Sequence, residues 1–430
     1  MTNPAKGNQR DDSQSGQVIR LESPIMRIEK MESGRGILPD EFVADTSFRR
    51  VLKVEKPRTI KKIPSGSRRR LPDFSSEPRY TKRFMWRLKD DPQFLRSTVQ
   101  FTFALLCVWI GIEFYVFMQW GLSDGDVSFS NRPPGVEGFL PISALISLKY
   151  WMLTGIVNNI HPASLFILVA IVAISVVLKK SFCSWLCPVG TVSESLWMVG
   201  QRLFKRNLNV TRWLDYPLRS LKYIFLFFFV YAIWNMDVSS LATFIHSPYN
   251  KVADIKMYLF FAEITTFALW VILGLVLLSV VIKNFWCRFL CPYGALLGIV
   301  GWMSPLKVTR NASSCIDCEL CTKACPANIK VHVVGRVWSD ECTSCLQCVS
   351  VCPVKDTLNM QLSTSRKLVP HWMLGILVAG VFVAITGLAM LTGHWQNTIT
   401  QEEYQRRFRQ LDSPKYQHFQ GKVPDYGSED

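Results

Sequence analysis

Residues 315–326 read C-I-D-C-E-L-C-T-K-A-C-P, and residues 342–353 read C-T-S-C-L-Q-C-V-S-V-C-P. Both follow C-x2-C-x2-C-x3-C-P, with sixteen residues between Cys325 and Cys342. A cubane iron–sulfur cluster needs one thiolate per iron. In this register three closely spaced sulfurs serve one cluster, and the fourth Cys, before Pro, ligates the other. The spacing assigns Cys315, Cys318, Cys321 and Cys352 to one [4Fe–4S] cluster and Cys342, Cys345, Cys348 and Cys325 to a second. A zinc module is the competing reading. Zinc sites use four ligands, usually as two C-x2-C pairs, which does not explain two runs of four closed by Pro326 and Pro353.

The rest of the chain surrounds this stretch with apolar sequence. Of 430 residues, 49% are hydrophobic and 12% aromatic, while the formal net charge is +16. That combination is unusual for one soluble core. It fits a membrane protein whose basic residues lie on one side. Thirteen cysteines in a chain this long do not read as a secreted disulfide scaffold, and twelve fall into patterned groups. Cys107 is the odd one, read as a small lipid-embedded hydrophobe. Residues 1–30 lack the apolar core of a cleavable signal peptide.

Residues 1–95 are polar and charged and are expected to be a largely disordered cytoplasmic region. Within it, 49–70 is densely basic, reading as a topogenic tail or as a contact for anionic headgroups. No aromatic interleaving supports nucleic-acid binding. A four-span membrane domain is expected over 97–305, with spans at 99–120, 162–178, 223–234 and 257–282. Glu113 lies inside the first span, an intramembrane carboxyl that is either functional or snorkelling to the interface. Residues 140–156 carry Ser143, Ser147, Tyr150 and Thr154 on one helical stripe and are expected to lie in the outer interface. A ferredoxin module follows at 306–367, a fifth span at 368–392 and a periplasmic tail at 393–430. Loops assigned inside are rich in Lys and Arg, and those outside are poor. This places the chain in a bacterial inner membrane, amino terminus cytoplasmic and carboxyl terminus periplasmic.

The membrane domain repeats itself. F-C-S-W-L-C-P-V-G (182–190) and W-C-R-F-L-C-P-Y-G (286–294) align without a gap, each after an inward span. Parallel repeats of this kind are related by an axis along the membrane normal. That axis brings Cys183 and Cys187 towards Cys287 and Cys291, where four thiolates could hold a further metal centre. The competing readings are two redox-active dithiols, or pairs that bind a transient soft metal such as Cu(I). The expected fold is an α-helical membrane bundle of about five helices, built as two parallel two-helix repeats, with an inserted α+β two-cluster ferredoxin module.

On the double cluster motif and the two C-x3-C-P motifs, the chain resembles the membrane-bound polyferredoxin family, the group of NapH, the membrane part of NosR and the CcoG/RdxA/FixG proteins. The resemblance covers roughly 97–395. It implies two [4Fe–4S] clusters on the cytoplasmic side, with the C-x3-C-P pairs handling electrons or metal. The chain departs from the NosR type in lacking a flavin-attachment threonine motif and a large domain before the first span. Its tail is short for the immunoglobulin-like domain expected in CcoG, and its fifth span is absent from NapH-like proteins.

These readings give an inner-membrane electron-transfer protein. Its donor is the quinone pool or a ferredoxin-like protein, and its partner a membrane or periplasmic redox system. The alternatives are a copper-reducing assembly factor for a respiratory oxidase or reductase, and a membrane redox sensor. A bilayer core of about 30 Å is too thick for one efficient electron hop. His161, His246 and His394, at the outer ends, are therefore candidate ligands for haem, copper or a quinone headgroup, against the plainer reading of interfacial hydrogen bonding.

Overall fold

A computed structural model describes residues 91–416 except 124–125, 206, 209 and 363–366, together with a short antiparallel pairing of β1 (Ile19–Arg20) with β2 (Thr59–Ile60). Apart from that pairing and residues 91–95, the expected disordered region 1–95 lies outside the described residues, as does the basic stretch 49–70 beyond β2.

Helix α1 (Pro92–Leu122) begins where the Asp91 carboxylate accepts the backbone N–H groups of Gln93 and Phe94, at 3.0 and 3.3 Å, with Pro92 in the first turn. It has 31 residues. One side, including Phe101, Leu105, Val108, Trp109 and Ile112, is exposed and apolar, a surface suited to lipid rather than water. Helix α2 (Pro141–Thr154) turns its polar stripe inward. Ser143 and Ser147 are buried, and Asn158 donates to the Ser147 hydroxyl at 2.9 Å. Lys149 donates to the carbonyls of Ile233, Trp234 and Met236 at 3.1, 2.8 and 2.5 Å. The polar positions of 140–156 thus serve helix packing rather than a water-facing surface.

Helix α3 (Pro162–Leu178) is the central element, with Leu165, Leu168, Ala170, Ile174 and Leu178 buried. After it come α4 (Pro188–Phe204), α5 (Arg212–Trp234), α6 (Val238–His246), α7 (Ala253–Ala262), α8 (Thr266–Val281) and α9 (Pro292–Val300). Gly200 lets α4 lie directly on α8, since a Cβ there would overlap the Val280 carbonyl. The continuous helix expected over 257–282 is instead two helices meeting at 84°. Glu263 ends α7, and the Thr265 hydroxyl caps α8 by accepting from the Ala268 N–H at 3.3 Å.

The ferredoxin module contributes β3 (Leu306–Arg310), β4 (Leu358–Leu362) and β5 (Leu368–Val369), an antiparallel sheet with Val308 opposite Met360 and Met360 opposite Val369. Its core runs unbroken into the helices. Val308, Leu346 and Met360 share one buried cluster with Leu178, Trp185, Leu374 and Val378. Each fully buried side chain at that seam contributes about 1.5–3 kcal/mol, so the module is held to the bundle by packing. Helix α10 (His371–Leu391) returns along α3.

Among the described residues α1, α5 and α10 are long and apolar enough to cross a membrane, the bent α7–α8 pair would make a fourth, and α3 is a shorter apolar helix. At the end away from the module, α11 (Gln401–Phe408) lies on α1. Tyr404 and Phe408 meet the Phe117 ring edge-on, and Gly121 leaves room for the Phe408 ring that any Cβ would occupy. Beside it Arg132 pairs with Asp254 and, at 2.7 Å, with Glu137, all three fully buried.

Candidate metal centres

The two cysteine loops of the module wind alike. Asp317 and Glu319 have φ of 53° and 59°, and Ser344 and Leu346, at the matching positions, have 51° and 58°. Left-handed residues at these places curl the backbone so that its N–H groups turn towards sulfur. Leu320 donates to Cys318, Gln347 to Cys345, and Ala327 and Ile329 to Cys325. Such donors are how a protein tunes a cluster's potential. The module's sulfurs lie near one another, within and between the two groups that the spacing predicts. Cys321 lies within electrostatic reach of Cys315 and Cys352, and Cys318 of Cys315 and Cys321. Cys345 reaches Cys325, and Cys348 reaches Cys345, Cys325 and Cys342. Cys348 also reaches Cys321, which sets the groups side by side.

The two C-x3-C-P motifs also converge. Cys183 lies within electrostatic reach of Cys187 and Cys291, and Cys287 of all three others. The second cysteine of each motif caps a helix, Cys187 that of α4 and Cys291 that of α9. Gly190 and Gly294 turn their N–H groups onto these sulfurs, Gly294 to Cys291 at 3.4 Å. A glycine is needed at 190, where a Cβ would overlap the Cys183 carbonyl oxygen, while a Cβ on Gly294 would lie 3.0 Å from that of Cys287, a tight contact short of overlap. The buried Lys180 ammonium stands near Cys183 and Cys291. Burial opposes its charge, but Glu341 and these sulfurs outweigh it and hold its pKa above the ordinary value.

Burial makes the bare thiols hard to ionise, pushing Cys183 and Cys345 up to about 12 and Cys187, Cys318, Cys321 and Cys325 to about 11. Buried sulfurs gathered beside backbone donors fit an iron–sulfur cluster, whose cations supply the missing positive charge. Among the described residues, no group of three or more His, Cys, Asp or Glu side chains has the closed geometry of a coordinated ion. The ligand sets therefore rest on residue type, spacing and proximity.

The first C-x3-C turn is fastened to the second cluster loop. Trp185 donates its indole N–H to the Ser344 carbonyl at 3.2 Å, and Ser184 its hydroxyl to the Thr343 carbonyl at 2.6 Å. Around them Arg96 forms a bidentate pair with Glu194 at 2.6 and 2.7 Å, Gln347 donates to Glu194 at 2.8 Å, and Gln93 to the Cys345 carbonyl at 2.9 Å. Lys222 pairs with Glu341, and the Tyr223 hydroxyl donates to Asp340, just before Cys342. These charged residues come from distant parts of the chain and carry no local motif.

All four C-x3-C sulfurs and Cys345 line one largely apolar cavity of about 1290 Å³. Cys107, half-buried, lines it too, within reach of Cys187. Glu113 lies at the cavity's far end, where it accepts the Trp109 indole N–H at 2.8 Å. His161 is fully buried, donating from Nε2 to the Asn250 carbonyl at 2.6 Å, which leaves Nδ1 to accept from Arg132 at 3.2 Å. Both nitrogens are occupied, so as placed this ring offers nothing to haem, copper or quinone. His246 and His394 are exposed, the former bonded through Nδ1 to the Ala242 carbonyl at 2.9 Å.

Apolar helices joined to a two-loop cysteine module define a membrane protein that carries electrons on iron–sulfur clusters. The 4Fe-4S binding domain family matches residues 160–208 and again 264–311, and the 4Fe-4S dicluster domain family matches 307–353. YccM of Escherichia coli (strain K12), a proposed electron transport protein, is 42% identical over 316 residues, covering 72% of this chain and 88% of that protein. Protein NirI of Paracoccus denitrificans is 28% identical over 233 residues, 51% of this chain and 33% of NirI. The ferredoxin-type protein NapH of Haemophilus influenzae is 26% identical over 188 residues, 41% of this chain and 61% of NapH. No solved structure matches. The chain belongs to the membrane polyferredoxin family, whose members are ferredoxin-type electron transport proteins.

Proposed function

We propose that this protein moves electrons between a redox partner at the face of the ferredoxin module and a lipid-soluble quinone in the cavity. One observation carries the reading. The turn that holds Cys183 docks through Ser184 and Trp185 on the loop between Cys342 and Cys345, while its sulfurs line the cavity. Cys315, Cys318, Cys321 and Cys352 hold the cluster nearer the module surface. Cys342, Cys345, Cys348 and Cys325 hold the one nearer the bundle. Cys183, Cys187, Cys287 and Cys291 hold a further metal centre between it and the cavity. Bound clusters supply one-electron chemistry. The chain's own residues keep the sulfurs dry, orient them with N–H donors and shape the cavity for a flat ring on an apolar tail.

The proposed topology has α1, α3, α5, the α7–α8 pair and α10 crossing the membrane, with the module cytoplasmic and the carboxyl-terminal tail periplasmic. The excess of Lys and Arg in the loops on the module's side supports it. The test is metal and sulfide analysis of the purified protein with an EPR-monitored redox titration, followed by addition of quinol. Iron above the eight atoms of two [4Fe–4S] clusters, lost in a Cys183→Ser, Cys287→Ser variant, and signals that grow on adding quinol are expected. Copper in place of that extra iron would favour a metal-handling protein instead.

A further inference from the structure

The cavity's two ends differ in chemistry. Arg96, Lys180, Glu194, Tyr293, Glu341 and Gln347 line it at the end that meets the ferredoxin module. Beyond Cys107 towards the other end, the polar side chains in its wall are Glu113 and Thr386. The remaining surface there is formed by residues such as Pro133, Pro134, Phe139, Met390 and Trp395. Thr386 donates to the Phe382 carbonyl of its own helix at 2.9 Å, and Glu113 is engaged by Trp109.

That far wall is also fixed in place. Arg132, next to Pro133, is clamped by Asp254 and Glu137 with all three side chains buried, and Glu137 also accepts the Ser164 N–H at 2.9 Å. Breaking one partner of a buried pair costs about 3–5 kcal/mol, so this wall does not open readily. Apart from Glu113, held by the Trp109 indole, and Thr386, bonded within its own helix, that wall is apolar, and among the described residues a proton there has no continuous chain of polar side chains to stabilise its charge. The module end has the polar and charged side chains that hold water and pass protons.

We infer that the quinone exchanges its protons on the face that carries the ferredoxin module, so that turnover separates no charge across the membrane. The inference rests on the proposed quinone site. On oxidation both quinol O–H bonds break, two protons leave through the module end, and two electrons pass singly to a one-electron acceptor on the same face. The quinone left behind is neutral. In the reverse direction the same two protons enter from that face.

The test uses the full chain in sealed vesicles containing ubiquinol-10, with ferricyanide outside as the one-electron acceptor. Ferricyanide does not cross the bilayer, so only molecules whose module faces outward turn over, and protein-free vesicles give the background rate. The expected result is two protons released outside per quinol oxidised, with an unchanged pH-sensitive dye in the lumen and no membrane potential. Lumen acidification with a lumen-positive potential during ferricyanide reduction overturns the inference while leaving the quinone site standing. No ferricyanide reduction above background overturns the quinone site and this inference with it.

Discussion

Trp185, in the turn between Cys183 and Cys187, donates its indole N–H to the carbonyl of Ser344, between Cys342 and Cys345. One side chain thus ties the bundle's cysteine site to the cluster loop nearest it. Trp185 is fully buried in the core shared by module and helices. Trp185→Phe keeps most of the apolar body but leaves the Ser344 carbonyl without this donor, which costs about 1–3 kcal/mol. Faster hydrogen exchange over 340–350 with unchanged iron content is expected. Slower re-reduction of the module clusters by quinol in stopped-flow should accompany it.

The glycines of the two C-x3-C-P-x-G motifs give a graded comparison. A methyl on residue 190 has no room beside the Cys183 backbone carbonyl, whereas one on residue 294 meets the Cys287 carbonyl at 3.0 Å, a contact that small shifts relieve. Gly190→Ala should therefore lose the metal of the proposed third centre, and Gly294→Ala should retain much of it. Iron per chain and the EPR spectrum distinguish them. The eight module cysteines should keep their iron in both.

Arg96 and Glu194 test how the first helix holds the module. The pair is bidentate and buried, and Gln100 and Gln347 also donate to Glu194. Arg96→Ala leaves a buried carboxylate without its counter-charge, a loss of about 3–5 kcal/mol. An Arg96→Met, Glu194→Met double variant removes both charges and should cost much less. Thermal unfolding in detergent should rank the wild type and the double variant well above Arg96→Ala.

What the sequence made legible follows from the range of each signal. Cysteine spacing is local, so the two module groups could be assigned from it, and the gapless repeat pointed to the meeting of Cys183, Cys187, Cys287 and Cys291. Signals that need distant partners were missed. Arg132, Glu137 and Asp254 are ordinary scattered charges until folding brings them together, and the hydrogen bonds of His161 occupy a ring that looked available. Hydropathy averaged over 257–282 hid the break, although E-I-T-T at 263–266 contains the threonine that caps α8. Cys107 reads from composition only as a small lipid-embedded hydrophobe, because composition does not report helical phase. With Arg96, Gln100 and Phe103 it lies on the inward stripe of α1.

Helix α11 should come loose in acid. Glu403 accepts from Arg407 at 2.5 and 3.0 Å and from Lys251 at 3.2 Å, tying this helix to the loop before α7. Burial pushes the Glu403 pKa up, but the Arg407 hydrogen bonds and the charges of Lys251 and Arg407 outweigh it and hold the carboxyl below its usual value. A depressed carboxylate pKa stabilises the folded state fully above the unfolded value of about 4.3, and that stability is lost as pH falls through the lower folded value. Hydrogen exchange over 401–416 should therefore be slow at neutral pH and accelerate below about pH 4. Glu403→Gln should show faster exchange at neutral pH, with less acceleration on acidification. The site is partly open to solvent, so added salt should weaken the wild type's protection at neutral pH and leave the variant largely unaffected. Equal acid sensitivity in both proteins would place the titrating group elsewhere in 401–416.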